Sequence, residues 1–527
     1  MALAAFAGIV LVAGVARPWA GLLHWHDSQR LLQSLLLLTV GAAVASLSPL
    51  RSRLFLQAGR AGPVPWALAV GAGLVGVLSA LCSGFALMGL TEVALFTLLA
   101  LLALAVMDAR GASPAAFDRA GLVVVMAAGM VLAVLFGASY AAALLSGAGF
   151  HVENLYRGGF SNPRAMGQFH TMALPLMAAA CLHASLAARW RALCLAVLVV
   201  TLVLALLAAS RATWYAWPAA TLAVLLVCPR AGRRLLPLLA LALAGALAGF
   251  WLLFHVLPPM FIDAWSFDAQ QSYSRLAAPF DLRLREVLWA RAAAWASLFP
   301  VLGIGPAGLA LDFNPVAASA HSAPLQIAAE WGLPALAMIA AGLGLAGWRM
   351  AGGLRVACRG SDATADTMPT PVLAASLAIA LCGALIHSLV DGVIVMPHAQ
   401  VALACACGWA AACLLPPAAA GTQPPPRPAR RPSLRSLAGA LAAGAAMVAL
   451  FNGVAPWVAQ RDLLDADRAR DEQAGLPTVP RFWSNGFLLD QVDLRDIRFL
   501  RATGPGVPER FTDPRLALRT GTAAPGR

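Results

Sequence analysis

The chain has no lysine: its 37 Lys and Arg residues are all arginine, set against 24 acidic residues, for a formal net charge of +13 over 527 residues. Charge of either sign is scarce, at 12% of residues, where a soluble domain carries about 25%. With 60% of residues hydrophobic, this balance excludes an ordinary globular fold and indicates a polytopic membrane protein. The basic excess therefore does not imply nucleic acid, and where the arginines sit matters more than their sum. Nine cysteines lie in or beside hydrophobic runs, and none in the long polar loop or the tail. No disulfide framework is implied, and Cys405-Ala406-Cys407 has the wrong spacing for a redox pair. The chain lacks a glycine-rich phosphate loop behind a strand, which disfavours an ATP-driven pump. It also lacks internal repeats of the solenoid or inverted-transporter kind. No metal or other cofactor is expected, because no His/Cys/Asp/Glu cluster with ligand spacing faces the arginine-poor side. Asp465-Ala466-Asp467 sits in a mixed charge run and reads as surface.

What the chain does have is long apolar runs. Crossing the hydrocarbon takes about 20 residues, and thirteen segments approach that length: 2–23, 31–50, 64–84, 87–107, 121–145, 165–187, 192–209, 212–228, 235–257, 331–348, 372–388, 396–415 and 436–454. The first lacks a basic leader and is soon followed by the second, so it is expected to stay as a helix rather than be cleaved. Arginines cluster on alternate connections, at Arg51 to Arg60, Arg110 and Arg119, Arg189 and Arg191, Arg230 to Arg234, Arg349 to Arg359, and Arg427 to Arg435. Those connections are expected to be cytoplasmic, which places the N-terminus inside. The predicted organisation is an N-terminal transmembrane bundle at 1–257 and a large outer loop with amphipathic helices at 258–330. Further spans follow at 331–456, interrupted by a Pro/Arg linker at 416–435, and a short outer tail occupies 457–527.

On the outer side the scarce ionisable groups are the candidates for chemistry. Arg211 stands in a tight turn between two spans, either as a snorkelling anchor or as a guanidinium placed to grip a diphosphate through paired hydrogen bonds. Arg285 opens an amphipathic helix, predicted over 284–299, whose stripe is Leu284, Leu288, Ala292, Trp295 and Phe299. Arg283, Arg285 and Arg291 fall off the stripe, as a solvated face or with one turned inward as a second phosphate clamp. His321 precedes a helix start, with Ser322 as N-cap and Pro324 in the first turn. The partial positive charge of that helix end disfavours imidazolium, and a neutral ring can accept a hydroxyl proton. The alternative is a histidine that only caps a loop. His387 and Asp391, in His387-Ser388-Leu389-Val390-Asp391-Gly392, either line the same site or form an interfacial turn, with His398 nearby. Glu92, about one turn inside the outer leaflet, is expected to pair with an arginine or to keep its proton.

In its ordered motifs the chain resembles the superfamily of O-antigen ligases, O-antigen polymerases and protein O-oligosaccharyltransferases. Gly159-Phe160-Ser161-Asn162-Pro163-Arg164 is similar to the family's Phe-x-Asn-Pro element, and Ser210-Arg211 to its Ser-Arg element. Arg285-x-x-Leu288-Trp289 followed by Pro300-x-Leu302-Gly303-x-Gly305-Pro306 resembles the first half of its large loop. His321 through Leu325-Gln326, Glu330, Gly332 and Pro334 resembles the second half. The resemblance implies an all-α, GT-C-like membrane fold of about thirteen spans in the bacterial inner membrane, with the outer side periplasmic. It also implies a metal-independent transferase that moves a glycan from undecaprenyl diphosphate to a lipid, polymer or protein acceptor. By the same resemblance His321 is the candidate catalytic base and Arg211 and Arg285 are diphosphate ligands; Arg164, His387 and Asp391 stand beside them as further substrate-binding candidates. The imidazole and the two guanidinium groups of Arg211 and Arg285 are expected to converge at the outer leaflet. Ser322 stands where the family commonly has asparagine, and Ala323 and Pro324 replace bulkier residues. Two readings of other classes compete: a lipid-glycan flippase, which would need charges deep in several spans, and a noncatalytic partner, which would tolerate loss of Arg211.

Overall fold

A computed structural model of the chain describes residues 1–16, 25–146, 159–160, 162–183, 186–262, 285–310, 317–359, 371–415 and 434–450. Its α-helices are α1 (Ala2–Ala16), α2 (Trp25–Ser46), α3 (Ser48–Arg60), α4 (Pro63–Cys82), α5 (Ala86–Ala112), α6 (Pro114–Ser146), α7 (Pro163–Cys181) and α8 (Ala188–Ala208). They continue with α9 (Arg211–Val227), α10 (Pro229–Trp251), α11 (Arg285–Leu298), α12 (Ala323–Trp331), α13 (Leu333–Arg359), α14 (Pro371–Ser388), α15 (Pro397–Leu414) and α16 (Leu434–Val448). No strand occurs among the described residues, as a bilayer demands of a chain that is not a closed barrel.

Each of the thirteen apolar segments holds a helix within its described residues, and among the described residues nine helices are long and apolar enough to cross a membrane. The protein is therefore an all-α, multi-pass membrane protein. The remaining four are α1, α7, α9 and α16; α1 and α9 have only 15 and 17 residues. α7 carries Arg164, Gln168 and His170, which lower its hydropathy. Two elements go beyond the expected pattern: α3 occupies what the sequence marks only as an arginine-bearing connection, and a π-helical turn at Leu252–Val256 prolongs α10. Arg283, Leu284, most of the 416–435 linker and the 457–527 tail lie outside the described residues.

The chain divides into two compact units: residues 1–63, 98–281 and 344–441 form the first, and residues 64–97, 282–343 and 442–527 the second. In the first unit the arginine-rich connections are tied to one another. Arg60 donates to the carbonyl of Leu415 (2.7 Å), Arg53 pairs with Asp108 (3.1 Å), Arg349 donates to the carbonyl of Ala61, and Arg230 to that of Arg359 (2.9 Å). Guanidinium groups here satisfy helix-end carbonyls that have no intrahelical partner. A second polar cluster ties other helix ends together. Gln29 donates to the carbonyls of Gly14 (3.2 Å) and Gly159 (2.9 Å), and Arg30 to Gln400 Oε1 (3.0 Å) and the carbonyl of Val395 (3.2 Å).

One expectation is corrected. Cys228 and Cys358, 130 residues apart, form a disulfide, where the sequence implied none. The pairing joins the end of α9 to the end of α13, a proximity that cysteine spacing along the chain does not reveal.

A buried ion pair of the unit joins Arg110 and Asp118: Nε lies 2.8 Å from Oδ1 and Nη2 2.9 Å from Oδ2, and Trp409 Nε1 donates to Oδ1 at 2.7 Å. Asp118→Ala leaves the buried guanidinium without its carboxylate and is expected to cost roughly 3 kcal/mol. Asp118→Asn, which can still accept from Trp409, is expected to cost less. Thermal unfolding in detergent measures both, and an unchanged midpoint for Asp118→Ala would contradict this account.

Candidate functional site

In the second unit, helical periodicity places Leu288, Ala292 and Trp295 on the buried face of α11. Ala292 and Trp295 meet Phe85, Ile304, Leu309, Ala320 and Ala329 in one apolar cluster, with Phe299 and Leu325 packed against it. Arg285, at the first position of α11, is half-buried. Arg291 is buried, so the solvated-face reading does not hold for it: α11 is covered on more than its apolar stripe.

The turn after α11 is laid against the end of α12. The Ile304 N–H donates to the carbonyl of Ala329 (2.8 Å), the Gly305 N–H to that of Glu330 (3.0 Å), and the Leu333 N–H to that of Pro300 (2.8 Å). Ser79 Oγ also donates to the Glu330 carbonyl (2.8 Å). This contact explains Gly303, which has φ +67° and where a Cβ would lie 2.5 Å from the backbone of Glu330.

Glu330 itself is the anchor of this region. Its Oε1 accepts from the Leu309 N–H (3.1 Å) and from Gln326 Nε2 (2.7 Å), while Gln326 Oε1 accepts from the Ala320 N–H (2.8 Å). A hydrogen-bonded relay thus runs from the buried carboxyl to the residue before His321. His321 is half-buried in a left-handed turn at φ +47°, a conformation that costs a non-glycine residue on the order of 1–2 kcal/mol. Ser322 takes the N-cap position, as the sequence predicts, but its side chain makes no capping bond. The Gln326–Ala320 bond ties the turn to the first turns of α12.

Burial pushes the Glu330 carboxyl up to about 8, and the nearby Glu92 adds to the rise, while the Gln326 and Leu309 donors oppose it. The folded protein then holds this proton at pH values where the unfolded chain, at the ordinary 4.5, releases it. The stabilising contribution is complete below about pH 4.5 and falls as pH rises toward 8. We expect the thermal midpoint to fall across that window in wild type, and Glu330→Gln to flatten the fall. A midpoint profile identical in both proteins would contradict the buried proton.

In the first unit, α7 opens with Asn162, whose Oδ1 caps the Ala165 N–H (2.9 Å), and places Arg164 on an exposed position of the first turn. α9 opens at half-buried Arg211, with Ser210 before it. The two helix starts abut at Gly167, where a Cβ would lie 2.6 Å from Ser210 Oγ and 2.7 Å from Thr213 Oγ1. His387 and Asp391 are fully buried and joined, Nε2 to Oδ2 at 3.3 Å, and His387 Nδ1 is hydrogen-bonded to Thr171 Oγ1 at 2.8 Å. Of the six residues singled out in sequence, the structure thus sets Arg164, Arg211, His387 and Asp391 in the first unit and Arg285 and His321 in the second.

Sequence reasoning missed the relay residues Gln326 and Glu330 as positioning groups, the Thr171 contact, and Arg30. Arg30 carried a usable signal, since it begins an apolar span on the side poor in arginine, with Gln33 one turn on. Among the described residues no three His, Cys, Asp or Glu side chains gather as a metal-ligand set.

No curated protein matches the chain in sequence. Residues 196–340 match the family model described as O-antigen ligase, whose members are glycosyltransferase-like enzymes of envelope polysaccharide assembly. Residues 196–340, the stretch that carries Arg211, Arg285 and His321, belong to the O-antigen ligase and polymerase superfamily.

Proposed function

We propose that the protein transfers a preassembled glycan from undecaprenyl diphosphate to an acceptor hydroxyl at the periplasmic face of the bacterial inner membrane, without a metal ion. In this reading the thirteen apolar helices span the membrane with the N-terminus cytoplasmic, and residues 258–330 and the tail are periplasmic. His321 takes the proton of the acceptor hydroxyl as that oxygen attacks the anomeric carbon. Arg211 and Arg285 bind the diphosphate and neutralise the charge that develops on it as the glycosidic bond breaks. Guanidinium forks suit this role, since they match phosphate oxygens in pairs and stay charged at any working pH. Arg164, at the start of α7, contributes to the same anion.

The observation that carries the reading is the setting of His321. A half-buried imidazole held in a strained left-handed turn by the Ala320–Gln326–Glu330 relay, inside the family-matched stretch, is a side chain whose position the protein maintains at an energetic cost.

The test is glycan transfer by the purified full-length protein in detergent, where no transport can occur. We expect Arg211→Ala and Arg285→Ala each to lower the rate by roughly 10²–10³ in protein that inserts and purifies normally, and chelators to leave it unchanged. Undiminished transfer in both variants would remove the diphosphate role, and a protein inactive in detergent but active in sealed vesicles would favour a transporter.

A further inference from the structure

The proposed role of Arg211 requires that the start of α9 be held in place, and the residues that hold it are buried behind it. Thr213, in the first turn of α9, donates its hydroxyl to the carbonyl of Gly167 on α7 at 2.9 Å. Thr171 donates to the same carbonyl at 3.0 Å. The Thr171 hydroxyl is in turn hydrogen-bonded to His387 Nδ1 on α14 at 2.8 Å, and His387 Nε2 reaches Asp391 Oδ2 at 3.3 Å. Asp391 is itself oriented, with Oδ1 accepting its neighbour's Gly392 N–H at 2.7 Å. Thr171, Thr213, His387 and Asp391 are all buried.

Two glycines make the arrangement possible. Gly167 leaves room for Ser210 and Thr213, as its geometry above shows. Gly383, one turn before His387, lets α14 approach α7 so closely that a Cβ there would lie 3.0 Å from Thr171 Cγ2 and 3.8 Å from Ala220 Cβ of α9. Two helices thus meet at the Gly167 carbonyl, and α14 joins them through the Thr171 hydroxyl, with both nitrogens of the His387 imidazole engaged.

We propose that His387 is a positioning residue: through Thr171 and the Gly167 carbonyl it fixes the first turn of α9, and with it the Arg211 guanidinium, while touching no substrate itself. This rests on the reading of Arg211 as a diphosphate ligand. A direct substrate contact would need a ring edge open to the site, and His387 is fully buried between Thr171 and Asp391.

Thr171→Val keeps the shape of the side chain and removes only its hydroxyl, so it breaks the link with little risk to folding. Because Arg211 is read both as a ligand of the bound diphosphate and as a stabiliser of the charge that develops on it, the variant is expected to lower kcat/KM about 10-fold, chiefly through kcat. Thr171→Ser, which restores the hydroxyl, is expected to restore kcat. His387→Ala is expected to behave as Thr171→Val does. In an Arg211→Ala background, Thr171→Val is expected to cost nothing further, whereas a general packing defect would add its own loss. Independently of activity, amide hydrogen exchange at residues 213–217 is expected to rise in Thr171→Val while exchange in α8 stays as in wild type. Wild-type kcat and exchange in Thr171→Val, or an additive loss in the double variant, would overturn the proposal. Should Arg211→Ala itself transfer at the wild-type rate, the diphosphate reading fails, and the exchange measurement alone decides the link: a rise upholds the His387–Thr171–Gly167 coupling, and no change refutes it.

Discussion

A polar group inside an apolar chain must find a partner, because in hydrocarbon or in a dry protein interior there is no water to supply one. That constraint shapes both units of this protein. Backbone groups meet it by forming helices. Side chains meet it at helix ends, where carbonyls and N–H groups are left over, and each polar cluster therefore doubles as a joint between helices. Arg110 and Asp118 with Trp409, Arg30 with Gln400, and Glu330 with Gln326 and Leu309 are instances in which the satisfied group is also the fastening.

The candidate chemistry is attached to these fastenings. In the second unit a buried carboxyl, not the histidine, carries the architecture: Glu330 orders the Gly303–Gly305 turn through its backbone and the approach to His321 through Gln326. In the first unit the Gly167 carbonyl, shared by the hydroxyls of Thr171 and Thr213, sets the start of α9 and hence Arg211. In both cases the reactive candidate is a half-buried residue at a helix boundary, backed by buried groups that present no chemistry of their own.

Much of the fold was legible in the sequence, because the signal is coarse: length and apolarity of a run suffice to locate a helix, and each expected segment holds one within its described residues. The stripe of α11 was legible for the same reason, at Leu288, Ala292 and Trp295. The helix start after His321 followed from Pro324 and from the N-cap position of Ser322. What was not legible depends on pairings between distant residues. The Cys228–Cys358 bond and the meeting of Thr171 with His387 arise only when helices far apart in sequence pack together. Glu330 is an intermediate case: its place in an ordered motif was visible, but its function as an anchor required knowing that the 299–310 turn folds back on it.

The proposed chemistry turns on His321 taking the acceptor proton. The most direct measurement is single-turnover glycan transfer by purified His321→Ala with a lipid-diphosphate donor and its acceptor, with donor binding measured separately. The transfer rate is expected to fall by about 10²-fold or more with donor binding preserved. Transfer at the wild-type rate in a normally inserted protein would contradict it.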